Sequence, residues 1–267
     1  MVLVFVFLYA PIVLLIVFSF NAGNSNMVWK SFSLHWYTKL FRNRIIMQSV
    51  YTTLLVSLLA TIIATVAGTF AAIGFYAMRR RVRNPLMTVN NIPMMNADIV
   101  TGVSMCLLFV AFFSGWGSFA SWFNTLGLFR LPTHLTMGFG TLLIAHITFN
   151  IPYVILSVMP RLKQLNPSVY EAALDLGASP WQAFFKVVFP DLLPGVMSGF
   201  LMAFTMSLDD FIITHFTKGP GVDTLSTKIY TEVKKGIKPE MYALSTLIFM
   251  TVLVLLILVN KAPKPKE

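Results

Sequence analysis

The sequence predicts an all-α integral membrane protein with about six transmembrane helices. Apolar residues make up 57% of the 267 residues and charged residues only 11%, whereas soluble domains carry about 25% charged residues. Mean hydropathy is +0.75. The apolar residues also form separate runs, each close to the roughly twenty residues that cross a bilayer. We expect a single membrane domain over residues 1–260 and a short tail over 261–267.

Apolar runs place the predicted spans in order along the chain. Their bounds are about 2–20, 48–78, 86–113, 138–160, 192–215 and 241–260. The first run is long for a signal peptide and lacks both a preceding basic residue and a small-residue cleavage site, so we predict an uncleaved span. The aromatic cluster around Trp36 follows it and indicates an anchor at the membrane–water interface.

Composition and motifs exclude several functions. The net charge of +10 could indicate a nucleic-acid partner, but the basic residues lie in connectors between spans, which favours a membrane-surface role. The single Cys106 predicts neither a disulfide framework nor a zinc site, and no other metal or catalytic site is predicted. The chain has no Gly-Lys-Ser/Thr phosphate loop, so ATP hydrolysis is not expected in this chain. No cofactor is predicted.

A polar stretch that begins at Asn166 separates two apolar runs and predicts two short helices. The first has Asn166 as N-cap and Pro167 at its first position, where a missing N–H costs nothing. It is predicted to stop near Gly177, which suits the left-handed position after a helix. The second opens with a capping box at Ser179 and is predicted to end at Pro190. Such a pair of helices is typical of a docking element.

The same stretch resembles the EAA loop of ABC importer permeases. The family pattern is Glu-Ala-Ala, three residues, Gly, nine residues, Ile, one residue and Leu-Pro. The matching residues are Glu171, Ala172, Ala173, Gly177, Val187, Phe189 and Pro190. The resemblance implies a type I importer bundle whose loop over about 161–191 carries a coupling helix. It also implies that this loop faces the cytoplasm and docks on a separate ATPase subunit.

Basic residues alone do not orient the chain in the membrane. An N-terminus inside puts ten lysines and arginines on each side, although the dense cluster at 79–83 favours this orientation. The loop resemblance then implies cytoplasmic N- and C-termini at a bacterial inner membrane. Relatives usually begin with a short basic segment that is missing here, so we expect the chain to start slightly truncated.

Three carboxylates fall within predicted spans, Asp98 in the third and Asp209 with Asp210 in the fifth. Each costs roughly 2.5–3.5 kcal/mol at a helix centre, so it should face the bundle interior or a wet cavity. Asn91 is seven residues before Asp98 and is expected on the same helix face. These groups suit either a cation path or interhelical polar contacts.

Asp209 and Asp210 point about 100° apart on a helix and cannot both face a path squarely. One is expected to line the path and the other to bond to a neighbouring helix, and the sequence does not decide which. His146, in the fourth predicted span, could relay protons. A hydrogen bond that packs two helices is the favoured interpretation.

A second resemblance concerns substrate. Residues 207–211 and 218–221, Ser-Leu-Asp-Asp-Phe and Lys-Gly-Pro-Gly, are similar to those of the PotC-type permease of spermidine/putrescine ABC importers. Residues 35–37, 98–100, 146–149 and 152–154 also agree. The resemblance implies half of a polyamine path lined by Asp98, Asn91, Asp209 and Asp210. The implied partners are a second permease, two ATPase copies that bind the ATP, and an extracytoplasmic binding protein.

Other functions stay open. The chain could serve another small cationic or organic solute, because related permeases share much of this pattern. An ATP-independent carrier fits the midplane acids but has no need of a docking loop. An intramembrane aspartyl protease requires two carboxylates within a few ångströms of each other, and neither acid lies in a Gly-x-Gly-Asp setting.

Overall fold

The computed structural model describes residues 2–23, 28–126, 132–236 and 238–261, without the side chains of Val2, Pro167 and 255–261. Within these ranges the regular elements are all helical, and Asn21 and Phe32 form an isolated β-bridge. The helices are α1 Val2–Ser19, α2 His35–Arg42, α3 Arg44–Ala77, α4 Arg80–Met95, α5 Asp98–Thr125, α6 Phe139–Gln164, α7 Pro167–Asp175, α8 Pro180–Ala183, a π-helical turn Phe184–Val188, α9 Phe189–Asp209, α10 Ile212–Thr217, α11 Leu225–Lys235 and α12 Pro239–Lys261.

Among the described residues, four helical stretches are long and apolar enough to cross a membrane. They are Arg44–Ala77, Asp98–Thr125, Phe139–Gln164 and Pro180–Asp209. Shorter apolar helices cover Leu3–Ser19 and Pro239–Val254. The predicted class of an all-α, multi-pass membrane protein is thereby confirmed. The chain divides into two compact units, Met1–Tyr51 with Thr227–Glu267 and Thr52–Ser226, and each is described separately.

The third predicted span, 86–113, is not a continuous helix. Helix α4 ends at Met95, and Asn96 and Ala97 are extended, with ψ of 153° and 134°. Pro93 cannot donate to the helical ladder, and the asparagines and threonine of α4 make it the most polar part of the predicted span. The membrane-crossing helix is therefore α5, and Asp98 is its first residue rather than a residue near its midpoint.

The fifth predicted span, 192–215, differs at both ends. Helix α9 stops at Asp209 because Asp210 is extended (ψ 123°), and the chain resumes helical structure only in α10. At its start, α9 is continuous with α8 through the π-helical turn, so the second loop helix does not end at Pro190. In a π-turn the backbone hydrogen bonds join residues five apart, whereas they join residues four apart in an α-helix. This wider turn accommodates the ring and the missing N–H of Pro190, which follows it.

Helices α6 and α9 form the centre of the larger unit. A methyl group at Gly195 would lie 2.8 Å from a side-chain carbon of Arg161, and one at Gly199 would lie 3.2 Å from the Cα of Val154. Ala203 and Ser207 continue this row at intervals of four residues and are buried. Small residues four apart allow membrane helices to approach closely, which brings the buried face of α6 against the end of α9.

The smaller unit packs α1 and α2 against α12. Trp36 is only 6% exposed and donates its ring N–H to the Asn21 carbonyl at 2.6 Å. The Asn21 side chain in turn accepts the backbone N–H of Lys30 at 2.9 Å. The described part of the connector after α1 is thus joined to α2 by a buried hydrogen bond.

Candidate functional site

The first helix of the polar loop is capped as predicted. The Asn166 side chain accepts the backbone N–H of Ser168 at 3.1 Å, and α7 begins at Pro167. At the other end Gly177 has φ of +87°, the left-handed conformation that favours glycine. Its N–H donates to Leu174, while Ala178 N–H donates to Ala173, the paired bonds of a Schellman motif.

The second loop helix also begins as predicted. Gln182 N–H donates to the Ser179 hydroxyl at 3.3 Å, and Ser179 N–H donates to the Gln182 side chain at 3.1 Å. This reciprocal capping box fixes the chain direction immediately after Gly177. Two caps and a Schellman turn therefore fix the local backbone geometry between the loop helices.

The seven loop residues that resemble the EAA motif fall on both loop helices. Glu171, Ala172, Gly177 and Pro190 are exposed, and Ala173, Val187 and Phe189 are half-buried. Glu171 and Val187 line a common groove of about 300 Å³, together with Tyr170, Phe184 and Asp191. The structure thus brings the two halves of the motif, sixteen residues apart in sequence, to one surface.

Two exposed apolar side chains of the loop were not singled out from the sequence. Leu176 is 90% exposed and Trp181 is 72% exposed. The Trp181 ring stacks on Phe185 with centroids 5.4 Å apart. Contiguous exposed apolar surface of this kind marks a contact with another protein or with the membrane. The signal in the sequence was available: a tryptophan and a leucine within an otherwise polar, capped segment.

The break after α9 separates the roles of the adjacent aspartates. Asp210 accepts the backbone N–H of Ile213 at 3.2 Å and that of Thr214 at 2.7 Å, so it caps α10. Its carbonyl accepts the Ser226 hydroxyl at 2.9 Å. Asp209 is exposed and makes no hydrogen bond or ion pair with the part of the chain that the structure describes. The sequence left this choice open, and the structure assigns the bonded position to Asp210.

His146 joins three helices at this break. The ring is 2% exposed; Nδ1 lies 2.7 Å from Ser207 Oγ of α9 and Nε2 lies 2.9 Å from Thr214 Oγ1 of α10. The Thr214 hydroxyl donates to Asp210 at 2.9 Å, so it accepts from Nε2–H, and Nδ1 then accepts the Ser207 hydroxyl. The favoured interpretation, a hydrogen bond that packs helices, is confirmed.

Asp98 and Asn91 do not share a helix face, because the break at 96–97 places them on different helices. Asp98 is exposed at the start of α5, whereas Asn91 is half-buried in α4 and accepts a bond from Asn90 at 3.2 Å. One turn after Asp98, a methyl group at Gly102 would lie 3.0 Å from the Phe216 ring. The beginning of α5 therefore packs on α10, which follows Asp210 directly.

No cluster of three or more histidine, cysteine, aspartate or glutamate residues that could hold a metal occurs in the described ranges. The arrangement suits binding and conformational coupling. It presents two carboxylates at helix ends and a capped loop with apolar side chains.

Comparisons with known proteins identify the family. The family "Binding-protein-dependent transport system inner membrane component" matches residues 64–263. The putrescine transport system permease protein PotI of Escherichia coli K12 is 37% identical over 91% of this chain and 82% of its own length. The spermidine/putrescine transport system permease protein PotC of Haemophilus influenzae is 34% identical over 97% of this chain and 92% of its own length.

A solved structure shares the fold. A bacterial ABC transporter that imports the acidic polysaccharide alginate superimposes with a TM-score of 0.69, at 17% identity, over 97% of this chain and 90% of the matched one. The chain belongs to the family of inner-membrane components of binding-protein-dependent transport systems. It is a multi-pass transport permease of the ABC importer class, and not an enzyme.

Proposed function

We propose that this chain forms half of the translocation path of an ATP-driven polyamine importer in a bacterial inner membrane. The observation that carries the proposal is the exposed carboxylate of Asp209, which forms no ion pair with the described residues and lies at a break in a membrane helix. An acid in such a position requires a wet cavity or a cationic partner. The similarity to putrescine and spermidine/putrescine permeases supports a cationic substrate.

The substrate path contains Asp209 and Asp98, with Asn91 contributing an amide. A linear polycation can contact two carboxylates at different positions. Asp210 acts on the path indirectly, because its side chain is used to cap α10 and to contact Thr214 and thereby His146. We infer that Asp210 and His146 position the corner that presents Asp209.

ATP hydrolysis takes place in a separate subunit that docks on the loop. Glu171, Ala172, Ala173 and Gly177 form the first docking element, and Val187, Phe189 and Pro190 support it from the second helix. The exposed Leu176 and Trp181 supply the apolar contact that a docking surface needs. Because α8 continues through the π-turn into α9, movement of the docked loop passes directly to the helix that ends at Asp209.

The complete importer in this proposal has a second permease, two ATP-binding subunits and an extracytoplasmic binding protein. The loop and both termini face the cytoplasm. The relative with the similar fold was solved in complex with a ligand-bound periplasmic protein, which supports a binding-protein partner here. Polyamine transport then needs no cofactor other than the ATP of the partner.

Uncoupling of the loop tests this proposal. In the importer reconstituted with its ATPase, Gly177→Asp and Glu171→Lys should abolish transport while leaving the ATPase subunit able to hydrolyse ATP. Normal substrate-stimulated transport in both variants would overturn the loop assignment. Uptake by the chain without any ATPase would instead establish an ATP-independent carrier.

A further inference from the structure

The smaller unit carries an exposed cluster of positive charge. It lies on α2, the start of α3, α11 and the start of α12, and we call it the basic face. Its cations are Lys39, Arg42, Arg44, Lys228, Lys234, Lys235 and Lys238, and its acids are Glu232 and Glu240. Seven cations against two acids leave an excess of five positive charges.

Ion pairs and a hydrogen bond join the two acids of the face to residues of neighbouring elements. Glu232 is bracketed by Lys228 at 3.2 Å and Lys238 at 3.4 Å. Glu240, two residues after Lys238, pairs with Lys39. It also accepts a hydrogen bond from the Asn43 amide at 3.4 Å, between Arg42 and Arg44 in sequence. The first pair of contacts joins α11 to Lys238, which immediately precedes α12, and the second pair joins the start of α12 to α2 and Asn43. Lys234 and Lys235 belong to the same face by their place at the end of α11.

Both acids of the face form ion pairs with lysines, whereas four of the seven cations form no ion pair with the described residues. Glu232 is 7% exposed and Glu240 is 6% exposed, both held by lysines. The remaining cations are exposed and form no ion pair among the described residues. They are Arg42, Arg44, Lys234 and Lys235. Such a surface attracts an acidic partner and steers its approach.

We propose that the basic face docks the acidic surface of an extracytoplasmic binding protein. The proposal rests on the proposed function. With both termini in the cytoplasm, the basic face lies on the extracytoplasmic side of the membrane. A polyamine has the same sign of charge as the face and is repelled by it, so the face is not built to collect free substrate. Lysine and arginine beside membrane spans are usually concentrated on the cytoplasmic side. Their accumulation on the extracytoplasmic side therefore indicates a function other than orienting the chain.

Lipid is the less suitable occupant. Anionic headgroups act mainly through the negative potential of the cytoplasmic leaflet, and in this orientation the face lies on the opposite side. An acidic protein surface accounts for both the location of the face and the four cations that form no ion pair with the described residues. The substrate then arrives inside the acidic binding protein. The attraction between this protein and the basic face overcomes the repulsion between the face and the polyamine.

The test compares charge removal on the two sides of the membrane. The complete importer is reconstituted in proteoliposomes with its binding protein, loaded with putrescine, on the outside. The two test variants are Lys234→Gln/Lys235→Gln and Arg42→Gln/Arg44→Gln. The control, Arg80→Gln/Arg81→Gln, removes the same charge from exposed positions of α4. The readout is the concentration of binding protein that half-maximally stimulates ATP hydrolysis.

At about 0.01 M salt each test variant should need about ten-fold more binding protein, with the same maximal rate. At about 0.15 M salt the difference should shrink, because the Debye length falls to about 8 Å. The control should match wild type at both salt concentrations. Unchanged half-stimulating concentrations in both test variants would overturn the proposal. So would an effect seen only when the vesicles contain phosphatidylglycerol, since the occupant would then be lipid.

Two measurements separate this proposal from the proposed function. If putrescine-loaded protein does not stimulate wild type, the polyamine assignment fails, and the face is then tested by direct binding of the protein to the importer in nanodiscs. Weaker binding by the test variants supports the face, and equal binding overturns it. A Lys235→Cys variant in a Cys106→Ser background should react with a membrane-impermeant maleimide from outside the cell. Labelling only from the inside would overturn the proposal.

Discussion

The Nδ1 atom of His146 lies 2.7 Å from the hydroxyl oxygen of Ser207, and this contact ties the middle of the bundle to the end of α9. The other ring nitrogen bonds to the Thr214 hydroxyl, and this hydroxyl in turn donates to the Asp210 carboxylate. A single buried side chain thus connects α6, α9 and α10 at the break that exposes Asp209.

Loss of the His146 ring should loosen the break. His146→Ala leaves the hydroxyls of Ser207 and Thr214 without their ring partners, and a membrane hydrogen bond contributes about 0.6 kcal/mol on average. We expect thermal unfolding in detergent at a lower temperature than wild type, together with reduced transport. His134→Ala, at an exposed position, is the matched control. Equal stability of the two variants would contradict the connecting role.

Substitutions of Asp209 and Asp210 should have different effects on transport and on thermal stability. Asp209→Asn removes an exposed charge and should lower polyamine transport with little change in thermal stability. Asp210→Asn replaces one carboxylate oxygen by an NH₂ group, which cannot accept the bond that Ile213 or Thr214 donates there. An unsatisfied donor costs about 1–3 kcal/mol, so stability should fall as well. Transport and melting temperature of the same two preparations provide the measurement. A larger stability loss for Asp209→Asn would reverse the assignment.

The turn in the docking loop should depend on its glycine. Gly177 has φ of +87°, a conformation that costs an L-residue roughly 1–2 kcal/mol. Gly177→Ala should therefore weaken coupling, measured as transport per ATP hydrolysed. Gly140→Ala is the control, because Gly140 lies in the first turn of α6 with open space around its Cβ position. Equal coupling ratios for both variants would show that the loop shape is not needed.

The basic face should also respond to acid. Burial would raise the pKa of Glu232, but hydrogen bonds and charges from Lys228 and Lys238 outweigh it and lower the pKa below its usual 4.5. A lowered folded-state pKa stabilises the fold above pH 4.5, and this stabilisation is lost as pH falls through the folded value. Wild type should lose stability below pH 4.5 more steeply than Glu232→Gln, measured by thermal unfolding across acidic pH. Parallel profiles would contradict the ion-pair account.

Local signals in the sequence predicted local structure well. The caps at Asn166 and Ser179 and the left-handed Gly177 are confirmed, because each depends on residues within a few positions. The two helix breaks were missed because apolar length averages over a window and does not register a backbone turn at Asn96 or Asp210. The division of labour between Asp209 and Asp210 depends on where α10 begins, which only the folded chain decides.

Uptake of labelled putrescine into proteoliposomes is the most direct test of the central claim. With the putrescine-loaded binding protein outside, the vesicles that contain the complete importer should accumulate the label only when ATP is present in their lumen, on the side of the ATPase. A neutral solute of similar size should not enter, and Asp209→Asn should lower the putrescine rate without lowering the amount of assembled complex. Wild-type uptake by Asp209→Asn would contradict the acidic path. Equal uptake of the neutral solute would contradict the polyamine assignment.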